Sequence, residues 1–369
     1  MSIIWLIIFT VYFVATVIIP PGDAILGTLG KLRDAGAVSI ARIANQSLQD
    51  LDFFRYGERY DDVAAPAAIP WKRRVVVLER GSPVEADDRG VESPVVIRED
   101  DGSYTMWYKG KTAADNRWGI LRATSPDGLN WTKTGVVMTP TETYEGDKID
   151  PMTVICAGGI YRMWYGTDGG AGYAVSPDGI SWARYHGNPV LGPTSGEWDN
   201  WGAGGQHTVF KVGDSYKMYY KGWGGKERGW TFYGLAESGD GINWIKQGKW
   251  ISPQPEIGEA TGYRNISSLE LDGIYCLLHT TTPDLCLFLL ASQDGRSWHK
   301  CGIIFRQNPD DTASDCKWTT SPSLLVEDGL VKMWYEGADS GGRVRLHYAE
   351  VAEELFRQRC YDTVARLPE

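Results

Sequence analysis

A short phrase, one apolar residue followed by two large ones, returns through this chain at nearly constant spacing. It reads Met106-Trp107-Tyr108, Met163-Trp164-Tyr165, Met218-Tyr219-Tyr220, Cys276-Leu277-Leu278 and Met333-Trp334-Tyr335, with successive starts 57, 55, 58 and 57 residues apart. Self-similarity at a fixed period marks a repeat architecture, in which each copy buries its apolar face only against its neighbours. A second phrase, Ser-x-Asp-Gly-x-x-Trp, lies between the copies at Ser125–Trp131, Ser176–Trp182, Ser238–Trp244 and Ser292–Trp298. Asp-Gly supplies the positive φ of a tight hairpin, and the Trp after it resumes an extended, half-buried strand. Apolar runs at 94–97, 152–155, 208–210 and 322–325 add one more strand upstream of the large residues. Each repeat therefore predicts about four antiparallel strands.

Four-stranded repeats whose Trp and Tyr residues pack sheet against sheet predict an all-β fold, a five-bladed β-propeller. A ring must fasten its last blade to its first. The last copy lacks the Asp-Gly phrase, while Arg74-Val75-Val76-Val77-Leu78 belongs to no repeat. These residues are expected to supply the outer strand of blade five. The composition agrees: 16 Trp and 19 Tyr for packing and 44 Gly for turns in 369 residues. The net charge of −10 comes without any basic stripe, so nucleic acid is excluded as an expected partner.

The N-terminus differs in kind. Residues 3–19 are an uncharged apolar run ended by Pro20-Pro21, long enough to span a bilayer as a helix. No cation precedes the run, as one would before a cleaved leader, so a single-pass membrane anchor is expected. Lys31, Arg33 and Arg42 follow it and favour a propeller on the cytoplasmic side. Ile25, Leu29, Leu32, Ile40, Ile43, Leu48 and Leu51 fall on roughly one helical face, as for a surface-lying helix or a plain spacer. The expected organisation is an anchor over 1–22, a helical spacer and linker over 23–70, the propeller over 71–351, and a tail over 352–369 that forms one short helix. The six cysteines show no metal-ligand spacing and read as buried thiols, with Cys276 and Cys286 placed to face across one hairpin. No cofactor or metal is expected, since no Asp-rich ligand loop is present.

The repeats, together with Gly90-Val91-Glu92-Ser93-Pro94 and Ile149-Asp150-Pro151, resemble the five-bladed propeller glycosidases of glycoside hydrolase families 43, 32, 62, 117 and 130 over about residues 72–351. The resemblance implies a funnel at one end of the axis, lined by the first residues of the innermost strands. Aligning blades one and two on Ile97 and Ile155 puts Glu92 and Asp150 at one level. Glycosidic cleavage needs one carboxyl to protonate the leaving oxygen and another to activate water or attack the sugar. The resemblance implies base or nucleophile for Glu92, where family 43 carries Asp, and a tuning carboxylate for Asp150. It also implies an acid in blade three, where this chain reads Gly204-Gly205-Gln206-His207. His207 is the candidate substitute acid, with Glu197 and Glu227 in nearby loops.

Blade four offers Tyr263-Arg264-Asn265 and blade five Thr320-Ser321 at the same level. Arg264 and Gln206 are candidate ligand contacts. Residues at or just beyond the repeat phrases, Lys109, Asp168, Lys221, His279 and Glu336, are expected around the rim, with Trp118, Trp201 and Trp223 placed to stack on a sugar. These residues favour a membrane-anchored glycosidase with a carbohydrate substrate. A noncatalytic glycan-binding propeller and a scaffold in a membrane-associated glycan pathway are the alternatives.

Overall fold

The computed structural model describes residues 69–82, 85–111, 116–224, 232–251, 263–281 and 285–364. The predicted membrane anchor and helical spacer, residues 1–68, lie outside them. Among the described residues no helix is long and apolar enough to cross a membrane.

The sequence folds as five antiparallel sheets of four strands each. Blade one runs outward through Gly90–Arg98, Tyr104–Lys111, Trp118–Ser125 and Thr132–Met138. Blade two follows with Ile149–Ala157, Ile160–Thr167, Ala171–Ser176 and the short Ala183–Arg184. Blade three comprises Gly202–Val212, Ser215–Trp223, Phe232–Ser238 and Ile245–Ile251, and blade four Tyr263–Leu271, Ile274–Thr281, Leu287–Ser292 and His299–Phe305. Blade five comprises Trp318–Glu327, Leu330–Ala338 and Val344–Ala352. Its outer strand is Lys72–Leu78, paired antiparallel to Val344–Ala352 as the unclaimed apolar stretch predicted. The innermost strands contact one another in ring order, blade five against blade one included.

Each repeat phrase lies on the second strand of its blade, and its large residues form the packing between blades. Trp107, Trp164 and Trp334 are fully buried, as are Tyr108, Tyr165, Tyr219, Tyr220 and Tyr335. In the Asp-Gly turns the aspartate accepts the backbone N–H groups two and three residues on, as Asp127 does from Leu129 and Asn130 at 2.9 and 2.8 Å. The C-terminal helix, Glu353–Val364, packs on blades four and five and buries Phe356 and Cys360 completely.

None of the six cysteines is in a disulfide, and Cys156 is exposed rather than buried. The sequence set Cys276 against Cys286, but Cys276 in its strand faces Ala291, and its thiol meets that of Cys360 at 3.3 Å. The tail brings the partner that the hairpin does not.

Candidate active site

Each innermost strand begins with a bulge. The ladder slips between Glu92 and Val95, Pro151 and Thr153, Ala203 and His207, Arg264 and Ile266, and Thr320 and Ser323. A bulge bends the strand and re-aims its side chains. In blades one and five the slipped residue, Ser93 or Ser321, has a φ of 51°. Such a left-handed conformation costs a non-glycine residue roughly 1–3 kcal/mol and persists where the surroundings over-determine it.

The residues paired with the first member of each repeat phrase are Val96, Val154, Val209, Leu269 and Leu324. Counting back by the same offset puts Glu92, Asp150, Gly205, Asn265 and Thr320 at one level of the ring. Blade four therefore presents Asn265 at this level rather than Arg264, which pairs through its backbone with Thr280 and whose side chain is outside the described set. Blade three presents Gly205 at this level, close to the backbone of blade two. A Cβ on Gly166 would stand 2.0 Å from the Gly205 carbonyl oxygen, and one on Gly205 would stand 3.0 Å from that of Thr167. The two backbones approach closely enough to require glycine at Gly166, and they make a tight fit for any side chain at Gly205.

At the mouth end lies a cavity of about 320 Å³ lined by Glu92, Lys109, Asp150, Gln206, Asn265, Leu285, Trp318, Thr320, Glu336 and Val344. A second cavity of about 270 Å³ runs between the innermost strands and has no carboxylate in its lining. The carboxyl groups thus line the first. There Lys109 Nζ lies 2.6 Å from Glu92 Oε2 and 3.2 Å from Asp150 Oδ2, and the three side chains are 13, 26 and 12% exposed. Burial by itself would lower the Lys109 pKa, but Asp150 and Glu92 outweigh it and hold the ammonium above its ordinary value. Lys109 also stands 4.8 Å from the Trp118 ring centroid.

Asp150 is pushed up by burial, against the pull of Lys109, and the Glu92 charge adds to the rise. The nearby Ser93 hydroxyl favours its ionised form. Glu336 is 8% exposed, and burial together with the charges of Glu92 and Asp150, opposed by Lys109, pushes it up to about 8. Its Oε2 accepts from Ser321 Oγ at 3.2 Å. Three carboxyl groups from blades one, two and five thus surround one ammonium, a setting in which one carboxyl stays protonated near neutral pH.

Other expected site residues are placed elsewhere. His207 is fully buried, its Nδ1 lies 2.7 Å from Gly204 O, and burial lowers it to about 4, so the ring is neutral and absent from the cavity lining. His279 is enclosed between Tyr233 and Phe288 and lowered to about 3 by burial. It belongs to the packing between blades. Asp168 pairs with Lys148 at 3.1 Å on the surface, and Lys221 stands 5.9 Å from the Trp223 ring. Trp223 and Trp201 are 37 and 52% exposed and do not line the cavity. Glu197 is exposed, and Glu227 is outside the described residues. The cavity adds Trp318, Leu285 and Val344, which come from segments outside the repeat phrases and which sequence reasoning had no alignment to find.

Comparison with known proteins bears on this geometry. No family model matches the chain. Two uncharacterized proteins of Mycobacterium tuberculosis strains are 28% identical over 209 residues, covering 49% of this chain and 66% of theirs. A 1,2-beta-oligomannan phosphorylase of Thermoanaerobacter sp. is 25% identical over 193 residues, covering 51% of this chain and 61% of its own length. The chain thus spans less than two thirds of these relatives. Among solved structures, a glycoside hydrolase matches with a TM-score of 0.60 at 16% identity, over 80% of this chain and 94% of its own. A beta-1,2-mannobiose phosphorylase from Listeria innocua, solved with beta-1,2-mannobiose, matches with a TM-score of 0.57 at 10% identity, over 78% of this chain and 99% of its own. The likeness is one of fold. It places this chain among five-bladed propellers that include carbohydrate-cleaving enzymes.

Proposed function

We propose that this protein cleaves or transfers a glycosidic bond in an oligo- or polysaccharide bound at the propeller axis. One observation carries the reading: Glu92, Asp150 and Glu336 from three blades line one cavity with Lys109 held between two of them. The cavity volume of about 320 Å³ falls at the lower end of the range of small-molecule sites, roughly 300–1,000 Å³. Trp318 supplies an aromatic wall, and Gln206, Asn265 and Thr320 supply the hydrogen-bonding groups that a sugar requires. In this reading Glu92 activates the acceptor and Asp150 tunes the field around it. The glycoside hydrolases and mannoside phosphorylases of like fold support the substrate class.

The test is turnover of a panel of aryl glycosides and β-linked oligosaccharides by the full chain, with and without inorganic phosphate, beside Asp150→Asn. A loss of roughly 10²–10⁴-fold in the variant is expected. Silence of the folded wild-type protein on the whole panel would contradict catalysis and leave glycan binding. Membrane attachment through residues 3–19 is part of the proposal and rests on their apolar, uncharged composition. The full chain should sediment with membranes and resist high-salt extraction; recovery in the soluble fraction would count against the anchor.

A further inference from the structure

Blade three contributes the amide of Gln206 and no carboxyl group to the cavity, and His207 is neutral and enclosed, so a proton for the leaving oxygen must come from another blade. Of the three cavity carboxyls, Glu92 and Asp150 contact the ammonium of Lys109. Glu336 instead ends a chain of hydrogen bonds that crosses three blades. Gln206 Nε2 donates to Asn265 Oδ1, Asn265 Nδ2 donates to Ser321 Oγ, and Ser321 Oγ donates to Glu336 Oε2. The direction of the chain matters. Ser321 Oγ takes the amide proton of Asn265 on one lone pair and gives its own hydroxyl proton to Glu336 Oε2, which is the acceptor. The proton of a neutral Glu336 therefore resides on Oε1.

We propose that Glu336, positioned by Ser321, Asn265 and Gln206, holds the transferable proton of this cavity and donates it to the departing glycosidic oxygen. The inference rests on the glycoside chemistry proposed above and replaces the blade-three acid with one from the second strand of blade five. The charged groups facing Glu336 are Glu92, Lys109 and Asp150, while its register neighbours on its own sheet, Thr320 and Leu346, are uncharged. Burial and the two carboxylates keep the proton on through neutral pH. In the step, the proton passes from Oε1 to the bridging oxygen as the bond from that oxygen to the anomeric carbon breaks. The bonding pair leaves with the oxygen, giving a neutral alcohol and an ionised Glu336. Water adds its oxygen to the anomeric carbon and releases a proton to Glu92, whose Oε2 is occupied by Lys109. Exchange with solvent then returns one proton to Glu336 and removes one from Glu92.

Infrared difference spectroscopy of the full-length protein across a pH titration tests this without a substrate. Wild type should show a carboxylic-acid carbonyl band at pH 7 that is lost on passing through about pH 8. Glu336→Gln should lack it. Ser321→Ala should keep it and titrate at higher pH, because the lost donor favoured the ionised form; this variant also decides the matter if Glu336→Gln does not fold. No such band at pH 7, a band unchanged in Glu336→Gln, or an unshifted titration in Ser321→Ala would overturn the proposal. On any aryl glycoside that wild type turns over, Glu336→Gln should lose roughly 10²–10⁴-fold with a p-nitrophenyl leaving group and far less with 2,4-dinitrophenyl. An equal loss on both would also overturn it. Absence of wild-type turnover would remove the glycosidase reading alone, because the infrared bands judge Glu336 separately.

Discussion

Two kinds of buried acid coexist here, and their partners tell them apart. Asp87, Glu145, Asp199 and Asp315 each accept the hydroxyl of a repeat tyrosine, from Tyr108, Tyr165, Tyr220 and Tyr335 at 2.9, 3.0, 3.2 and 2.8 Å. Each also pairs with its own cation from the outermost strand of the same blade: Lys133, Arg184, Lys246 and Arg74. These acids are satisfied and structural. Glu92, Asp150 and Glu336 share a single lysine, and burial together with the Glu92 charge pushes Asp150 and Glu336 up, as happens at working sites. Asp87→Ala should therefore destabilise the fold by about 3–5 kcal/mol, because it strands Lys133 and the Tyr108 hydroxyl. Chemical denaturation measures this, and turnover per folded molecule should stay at the wild-type level. Glu92 and Asp150 were legible in the sequence because the repeat aligns them. Glu336 was read as a rim residue because its repeat equivalent is Lys109, and repeat alignment carries no burial. The burial of His207, whose Nδ1 lies against Gly204 O, was hidden for a similar reason, since nothing in the neighbouring sequence reports it.

At the scale of the strand and hairpin, the two phrases of the repeat prove to be halves of one fastening. In blades one, two and five an indole donates to the glycine carbonyl in the Asp-Gly turn of the next blade: Trp107 to Gly179 at 2.9 Å, Trp164 to Gly241 at 2.7 Å, and Trp334 to Gly128 at 2.8 Å across the ring closure. Tyr219 makes the same bond to Gly295 through its hydroxyl. The glycine is required twice over, as Gly128 has a φ of 74° and a Cβ there would stand 2.8 Å from Trp334 Cζ2. Gly128→Ala should cost roughly 1–2 kcal/mol from left-handed backbone alone, and more from displacing the indole. A drop in the thermal midpoint with red-shifted tryptophan emission would report it, and an unchanged midpoint would contradict the fastening. The sequence made both phrases visible as local structure. That they bond to each other across blades was hidden, because periodicity gives spacing and not the neighbour each face meets.

Over the whole ring, the fastening is missing once. Blade four carries Leu277 and Leu278 where others carry aromatic residues, and blade five has no Asp-Gly phrase to receive a bond. The C-terminal helix lies at this junction. Phe356 and Cys360 join Leu278, Cys301, Phe305 and Tyr335 in one core that also takes in Ile69 and Trp71, the latter donating its indole N–H to Ile304 O at 3.0 Å. Packing from the tail and from the segment before the first strand thus replaces the absent bond. Phe356→Ala should destabilise the propeller by about 3–5 kcal/mol. Proteolysis should then begin at the blade four–five junction rather than at random. With the ring closed, the five strand starts are held at one level and three carboxyl groups meet at the axis, so the stability of the fold and the geometry of the site have a common origin. The most direct measurement is a crystal structure of Asp150→Asn grown with the oligosaccharide that the wild-type protein consumes. A saccharide in the cavity, against Trp318 and with its glycosidic oxygen within hydrogen-bond distance of Glu336, is the expected result. A saccharide bound on another face, with the cavity empty, would contradict the account.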